Sequence, residues 1–489
     1  MRSLGFALAI VGAALFLVAC ATAPPRRPVD IQVSPPQQWT GADYPPTAVI
    51  VDWWVTFDSK PLTQVIQEAL TSNPDLRLAA ARIDAAAAEA RITGSGMVPA
   101  VGLGVDAGRS KRNFLGFPIP SGNDAVLSTQ VTTFGLGLNT AWEIDLWGRM
   151  RSATAARLAD VQASADDLDA LRNSLAAQTA KSWMAVVASW QQWELVQDTR
   201  DSFVKTADQI QGRYERGLRS ALDLRLARNN VAVAKAEVAD SEVRHDRAVR
   251  QLEILLGRYP SGSYLEAIEF PAQPSQIPAG LPSDLLLRRP DLRAAERRVA
   301  ASQSRLHESK ASLLPRLSLT ANGGTSTDDL AKLVSPEYGI WTLAGNIAQP
   351  LFEGGRLRAG VDLSKARQRG ELAAFEKAAL QAFSEVESGL AAEQRLVETV
   401  RHLRDAATEA NASLSLANER YAAGLEGFLA VLESQRRAFN SQSALIEARR
   451  QRLANRIDLH LALGGNFSNV PPAGNKAEPS QFPQLAKSP

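Results

Sequence analysis

Two hydrophobic periods alternate along the chain. Val101, Leu103, Val105 and Ala107 alternate with Gly102, Gly104, Asp106 and Gly108. Phe134, Leu136, Leu138 and Trp142 stand against Gly135, Gly137 and Asn139. Further on, Leu317, Leu319 and Ala321 alternate with Ser318, Thr320 and Asn322, and Trp341, Leu343 and Ile347 with Thr342, Asn346 and Ala348. A period of two predicts strands. Runs of about ten residues with one apolar face and one small or polar face suit transmembrane β-strands. Between these runs the period lengthens. Leu76 to about Gly94 is Ala-rich without a breaker and predicts a helix. No proline occurs between Pro120 and Pro260 or between Pro350 and Pro471, and from Arg149 to Arg216 the only glycine is Gly212. That stretch predicts a helix roughly 100 Å long. Leu168, Leu171, Leu175, Trp183, Val186, Trp190 and Trp193 mark a seam of threes and fours along it, as in coiled-coil packing. Asp166, Asp167, Lys181 and Glu194 interrupt the apolar strip, so this helix cannot lie in hydrocarbon. After a turn at Gly217 a second helix is expected from Ala221 to Leu256.

The pattern occurs twice. Asn73-Pro74-Asp75-Leu76-Arg77 matches Arg289-Pro290-Asp291-Leu292-Arg293 at an offset of 216 residues. Gly148-Arg149-Met150-Arg151 matches Gly355-Arg356-Leu357-Arg358 at 207, and that offset still holds at Leu256-Gly257 and Leu463-Gly464. A register kept over a hundred residues indicates an internal repeat. The offset changes between about Arg109 and Phe134, so the first strand pair has the longer connection. Long connections of outer-membrane barrels lie outside the cell, which predicts that Arg112 to Asn123 and its shorter counterpart Asp328 to Glu337 are extracellular.

The two ends read differently. Arg2 followed by the apolar run Leu4 to Val18 has signal-peptide character and is too short to span a bilayer comfortably. It ends at Leu17-Val18-Ala19-Cys20, which resembles a bacterial lipobox, with Cys20 as the lipidated first residue of the mature chain. Cys20 is the only cysteine, so no disulfide can form within a protomer. The expected organisation is a signal peptide 1–19, a lipid-anchored extended segment 20–51, a first repeat 52–260 and a second repeat 261–464. The first repeat carries a strand pair at about 100–145 and a helical hairpin 148–257. The second carries a strand pair at about 316–350 and a hairpin 354–464. A Pro-rich tail, 465–489, is expected to be disordered.

Composition adds exclusions. With 45% hydrophobic and 22% charged residues the chain can form a core, and a formal net charge of +2 gives no electrostatic case for nucleic acid. Arg247, Arg250 and Arg258 read as solvated helix faces. The four histidines, His245, His307, His402 and His460, lack zinc-ligand spacing and read as helix-surface residues. Gly102, Gly104 and Gly108 lack the spacing of a dinucleotide fingerprint, and their strand runs on where a helix should begin. No enzymatic site and no cofactor beyond the lipid at Cys20 are expected.

Four strands cannot close a barrel, and an open sheet edge cannot stand in hydrocarbon. Copies of the chain must therefore share one barrel: two give eight strands and three give twelve. The amphipathic helices leaving it would continue as a tube outside the membrane.

With these parts in place, the chain resembles the outer-membrane efflux proteins of the TolC family, in the lipoprotein branch of OprM and NodT type. The resemblance runs from Trp53 to Gly464. It rests on Trp53-Trp54 with Phe57 and Asp58, on Asn73-Pro74-Asp75-Leu76 and on Trp142-Glu143-Ile144-Asp145-Leu146-Trp147-Gly148-Arg149. Leu281-Pro282-Ser283-Asp284-Leu285, Arg289-Pro290-Asp291-Leu292-Arg293-Ala294-Ala295-Glu296 and Pro350-Leu351-Phe352-Glu353-Gly354-Gly355-Arg356 continue it. It implies a mixed α and β fold, in which a homotrimer shares a twelve-stranded barrel above an α-helical periplasmic tunnel. It also implies an outer-membrane location, a periplasmic adaptor and an inner-membrane pump of the resistance-nodulation-division type. Substrates would pass the tunnel passively. The periplasmic tips that dock the adaptor would be the turns at Gly217, Leu218, Ser220 and Asp223, and at Gly424, Leu425 and Gly427. The second tip departs from the usual pattern, with Gly427 and Ala430 where the first has Ser220 and Asp223. A structural coiled-coil or adaptor protein of the envelope is the alternative, and the twice-repeated strand pair argues against it.

Overall fold

The computed structural model describes residues 21–29, 36, 38–40, 52–114, 127–263, 269–274 and 282–465. A short 3-10 turn, Trp53–Phe57, leads into helices α1 (Lys60–Ser72) and α2 (Pro74–Gly94). Strands β1 (Ala100–Phe114) and β2 (Leu127–Ile144) follow, then helices α3 (Arg149–Glu215) and α4 (Ala221–Leu255). The second half repeats the order. It has α5 (Pro282–Arg288), α6 (Pro290–Ala311), β3 (Arg316–Thr327), β4 (Gly339–Ala348), α7 (Arg356–Ala422) and α8 (Phe428–Ala462). The long helices match in length, 67 residues in α3 and α7 and 35 in α4 and α8. Cys20, the loop 115–126 and the tail beyond Gly465 lie outside the described residues, as does most of the segment 20–51.

The chain divides into two compact units. One holds the described parts of Met1–Ile31, Ala79–Asp166 and Ala294–Lys377, and the other those of Gln32–Leu78, Asp167–Arg293 and Ala378–Pro489. Each draws on both halves of the sequence, so neither coincides with a repeat.

The first unit contains an antiparallel sheet of order β1-β2-β3-β4. Its register pairs Leu103 with Leu138, Trp142 with Leu319, and Ala321 with Leu343. Because cross-strand partners share a face, the alternating apolar positions read from the sequence in all four strands fall on one side, with Phe114, Val131 and Ile340 as exceptions near the strand ends on the other. Gly104, Asp106, Asn139, Glu143, Asn322 and Asn346 fall on the other. Gly135 belongs to the second side, and a Cβ there would lie 2.4 Å from the Asp106 carboxylate, so the acid occupies the space a side chain would need. The N-terminal segment docks in this unit on Arg297, whose side chain is fully buried. Its guanidinium donates to the Pro24 carbonyl at 2.7 Å, the Pro25 carbonyl at 3.2 Å and Gln162 Oε1 at 3.0 Å. Arg26 pairs with the buried Asp166 at 2.7 Å. A buried guanidinium is tolerable only when its donors are satisfied in this way.

The second unit has the larger core. Trp53, Phe57, Leu62 and Ile66 pack with Leu175, Trp183, Met184, Leu252 and Ile457. Of the seam expected on α3, Leu175, Trp183 and Val186 are buried, while Leu168, Leu171, Trp190 and Trp193 are partly covered. Asn73 shows why the Asn-Pro-Asp motif is there. Its Oδ1 accepts the Asp75 amide at 2.7 Å at the start of α2, and its Nδ2 donates to the Leu255 carbonyl at 2.9 Å. In the second half Arg289 does the latter job, donating to the Ala462 carbonyl at 3.1 Å. Thus each half ties the start of its first long segment to the last turn of its return helix.

One expectation fails here. His460 is not a surface residue. It is 2% exposed and stacks on Trp53 with centroids 5.4 Å apart. Burial, and then the charge of Arg456, push its pKa down to about 4. His245 is half-buried, stacked on Trp193 and within 3.0 Å of Ser189 Oγ. The period of a helix gave no sign of either, because ring stacking is set by the element packed against it, the Trp53 turn for His460 and α3 for His245.

Candidate membrane sheet and docking turns

The sheet is solvent-bare on its apolar side. Val101, Leu103, Val105, Leu138, Trp341, Leu343 and Ile347 are all more than half exposed. Every residue of β4 and nearly all of β1 are exposed. Such a contiguous apolar surface needs a cover or an apolar solvent. Among the described residues, both outer strands, β1 and β4, leave one edge of backbone donors and acceptors unpaired.

The junction of β2 with α3 explains the motif Trp142 to Arg149. Glu143 receives Arg149 through two nitrogens, at 2.8 and 3.1 Å. Asp145 accepts the Met150 amide at 3.0 Å and the Arg151 amide at 2.9 Å, satisfying donors that open the long helix. Trp142 Nε1 donates to the Met97 carbonyl at 3.1 Å, and Trp147 Nε1 to the Pro315 carbonyl at 2.8 Å. Gly148 takes φ +75°, where a side chain is disfavoured. The second half keeps the turn glycines but puts Phe352 where the first has Asp145. Leu351 and Phe352 are 93% and 88% exposed.

At the far ends of the long helices, in the second unit, the two turns are built alike. Gly217 (φ +74°) donates to the Tyr214 carbonyl at 2.8 Å, and Leu218 to the Arg213 carbonyl at 2.9 Å. Gly424 (φ +77°) donates to the Tyr421 carbonyl at 3.1 Å, and Leu425 to the Arg420 carbonyl at 2.9 Å. This pair of bonds is the Schellman C-cap, which demands the glycine. It does not demand the leucines: the hydrophobic contact that often accompanies the motif would fall on Arg213 and Arg420. Leu218 and Leu425 are 67% and 70% exposed. Ser220 caps α4 by accepting the Asp223 amide at 3.1 Å, and Asp223 supplies a first-turn acid. Gly427 caps α8 without a side-chain bond. Ser220 and Asp223 therefore have a structural task, and Gly427 marks where that task is left undone.

Two features of these turns were missed in the sequence. Leu222 and Leu429, also 207 residues apart, are as exposed as Leu218 and Leu425. The repeat could have revealed them. Tyr421 is buried between the guanidiniums of Arg213 and Arg219, 5.0 and 4.7 Å from its ring centroid. Its counterpart Tyr214 is exposed, so the two turns differ although their caps agree. No cluster of metal-ligating side chains occurs among the described residues.

A four-stranded sheet with one bare apolar face, continued by 67-residue polar helices, defines the class of an outer-membrane protein with a helical extension. The comparisons agree. A sequence model of the outer membrane efflux protein family matches residues 65–258 and 281–465, and the chain belongs to that family. The family is one of transport proteins rather than enzymes. The probable efflux pump outer membrane protein TtgC of Pseudomonas putida is 31% identical over 94% of this chain and 95% of its own length. The pyoverdine export outer membrane protein OpmQ of Pseudomonas aeruginosa is 31% identical over 94% and 97%. The fold matches the CmeC outer membrane channel of Campylobacter jejuni with a TM-score of 0.84, at 23% identity over 92% of this chain and 95% of that one. The chain is an outer-membrane efflux channel protein.

Proposed function

We propose that three copies of this chain form the outer-membrane channel of a tripartite efflux system, which conducts small molecules passively to the exterior. The carrying observation is the sheet: an apolar face with two unpaired edges, β1 and β4. Hydrocarbon offers no partner for backbone groups, so β4 of one copy must pair with β1 of the next until the ring closes. Three copies give twelve strands, within the range of known barrels. The long helices cannot share that environment. At 67 residues each they span about 100 Å, several times the thickness of a bilayer core. None of the described helices is long and apolar enough to cross a membrane. They lie in the periplasm, and their turns meet the partner.

Leu218, Leu222, Leu425 and Leu429 would supply that contact, each gaining roughly 1–2 kcal/mol when covered. The partner is a periplasmic adaptor with helical hairpins, and beyond it an inner-membrane pump of the resistance-nodulation-division type supplies the energy. Acylated Cys20 anchors the mature chain to the outer membrane. The names of TtgC and OpmQ, efflux and pyoverdine export, support a small-molecule cargo. The test is cellular. The protein should fractionate with the outer membrane as a heat-modifiable oligomer, and its deletion should sensitise the host to compounds that the complemented strain exports. An inner-membrane or soluble periplasmic location, or a monomer, would overturn the proposal.

A further inference from the structure

Helices α7 and α8 and the segment 269–274 border an open hollow of about 270 Å³. Its polar lining is Arg404 from α7, Arg449 and Arg452 from α8, and Gln273 from the segment, with Phe270 and Pro271 as an apolar wall. The geometry points to an anion-binding site here, taking a small phosphate-bearing ligand on the guanidiniums of Arg404 and Arg449.

The charge balance supports this. The carboxylate bound to two residues of the lining, Gln273 and Arg452, is Glu393, and it is already committed. Its side chain is 2% exposed, and it accepts from Arg456 at 2.8 Å, Asn455 at 3.1 Å, Gln273 at 3.3 Å and Arg452 at 3.4 Å. Arg456 is itself 3% exposed, so Glu393 serves that buried cation first. Among the described residues, neither Arg404 nor Arg449 has a carboxylate within ion-pair distance. The consequence is visible at Arg449, whose guanidinium is disfavoured by burial and then by the charge of Arg404 across the cavity. Arg404 is exposed and Arg449 half-buried, so water screens part of their repulsion, and an anion held between them would offset the rest.

The shape narrows the ligand. The volume falls just below the usual range for drug-sized ligands, so a single ion or headgroup fits better than a transported drug. Guanidinium forks match oxyanions that carry two or more acceptor oxygens, which favours phosphate over halide. A free phosphate and a lipid phosphate share this chemistry.

Titration calorimetry on the full-length protein in neutral detergent, at constant ionic strength, tests the site with two probes. Inorganic phosphate should bind at one site per protomer. Its affinity should fall roughly tenfold in Arg449→Gln and in Arg404→Gln, the loss of one charge-assisted bond. It should be kept in part by Arg449→Lys, which holds the charge, and be unchanged in Arg437→Gln, an exposed site on the same helix. Binding of short-chain phosphatidylglycerol alone, with the same dependence on Arg449, would assign the site to a lipid headgroup. The proposal fails if neither probe binds, or if Arg449→Gln binds as the parent does. It also fails if Arg449→Gln destabilises the oligomer in phosphate-free buffer while no probe binds, because the counter-charge would then come from a neighbouring protein chain.

Discussion

His460 carries a pH dependence that its neighbours fix. Stacked on Trp53 and tilted against Phe57, it leaves its buried Nε2 without a partner and resists protonation down to about pH 4. The unfolded chain takes up that proton near the ordinary 6.5. Stability contributed by the neutral ring is therefore complete above about pH 6.5 and lost as the pH falls from there towards 4, in total about 3 kcal/mol. In His460→Phe, which keeps an aromatic ring against Trp53, the thermal midpoint should fall less between pH 7 and pH 5 than in the parent. Parallel pH curves would show that the ring is not a titrating element of the core. Single residues of this kind were the least legible part of the sequence. Nothing local distinguishes His460 from His307, or Arg297 from the other arginines of α6. What separates them is a partner far along the chain, Trp53 in one case and the Pro24 carbonyl in the other.

Elements were far more legible, because they rest on local physics. Long stretches free of proline located α3, α4, α7 and α8 closely, but the alternating runs fell short of the first strand pair: β1 runs on to Phe114 and β2 starts at Leu127, so Arg112 to Phe114, expected in the connection, are paired strand. The short helix α1 and the 3-10 turn before it were not foreseen. They are held by the burial of Trp53, Trp54 and Leu62 rather than by a long periodic pattern. The hairpin turns were foreseen as glycine stops, and the structure assigns the cap to Gly217 and Gly424. A Cβ at either position would meet nothing within 4 Å. The cost of Asp there is confined to the left-handed backbone, about 1 kcal/mol, and Asp tolerates that conformation better than most residues. A double variant, Gly217→Asp with Gly424→Asp, should keep oligomer yield and heat stability near those of the parent. It should lose most efflux, because it places charge beside the four exposed leucines. Drug susceptibility of the complemented strain reads this out. Efflux at parental level would reduce the turns to helix caps and move docking elsewhere.

At the scale of the molecule, the strand pairs do form one sheet with one apolar face, and the family comparison gives an outer-membrane efflux protein. The number of copies was legible only as an inference from what a single chain lacks. Four strands leave two edges, and an edge in hydrocarbon cannot stay open. The central claim is that β1 of one copy pairs with β4 of the next. Cys20 is the only cysteine of the chain, so introduced thiols report alone where its sulfur is blocked by the proposed acylation, and the parent chain oxidised in parallel checks this. Val105→Cys on β1 can be combined in turn with Trp341→Cys, Leu343→Cys and Ile347→Cys on β4, all exposed on the same face. Oxidation in outer-membrane vesicles, followed by a denaturing non-reducing gel, measures the pairing. Covalent species should end at three chains for the pairing in register, with little product when either cysteine is present alone. Monomers at every pairing, or a ladder running past three, would contradict a closed trimeric barrel.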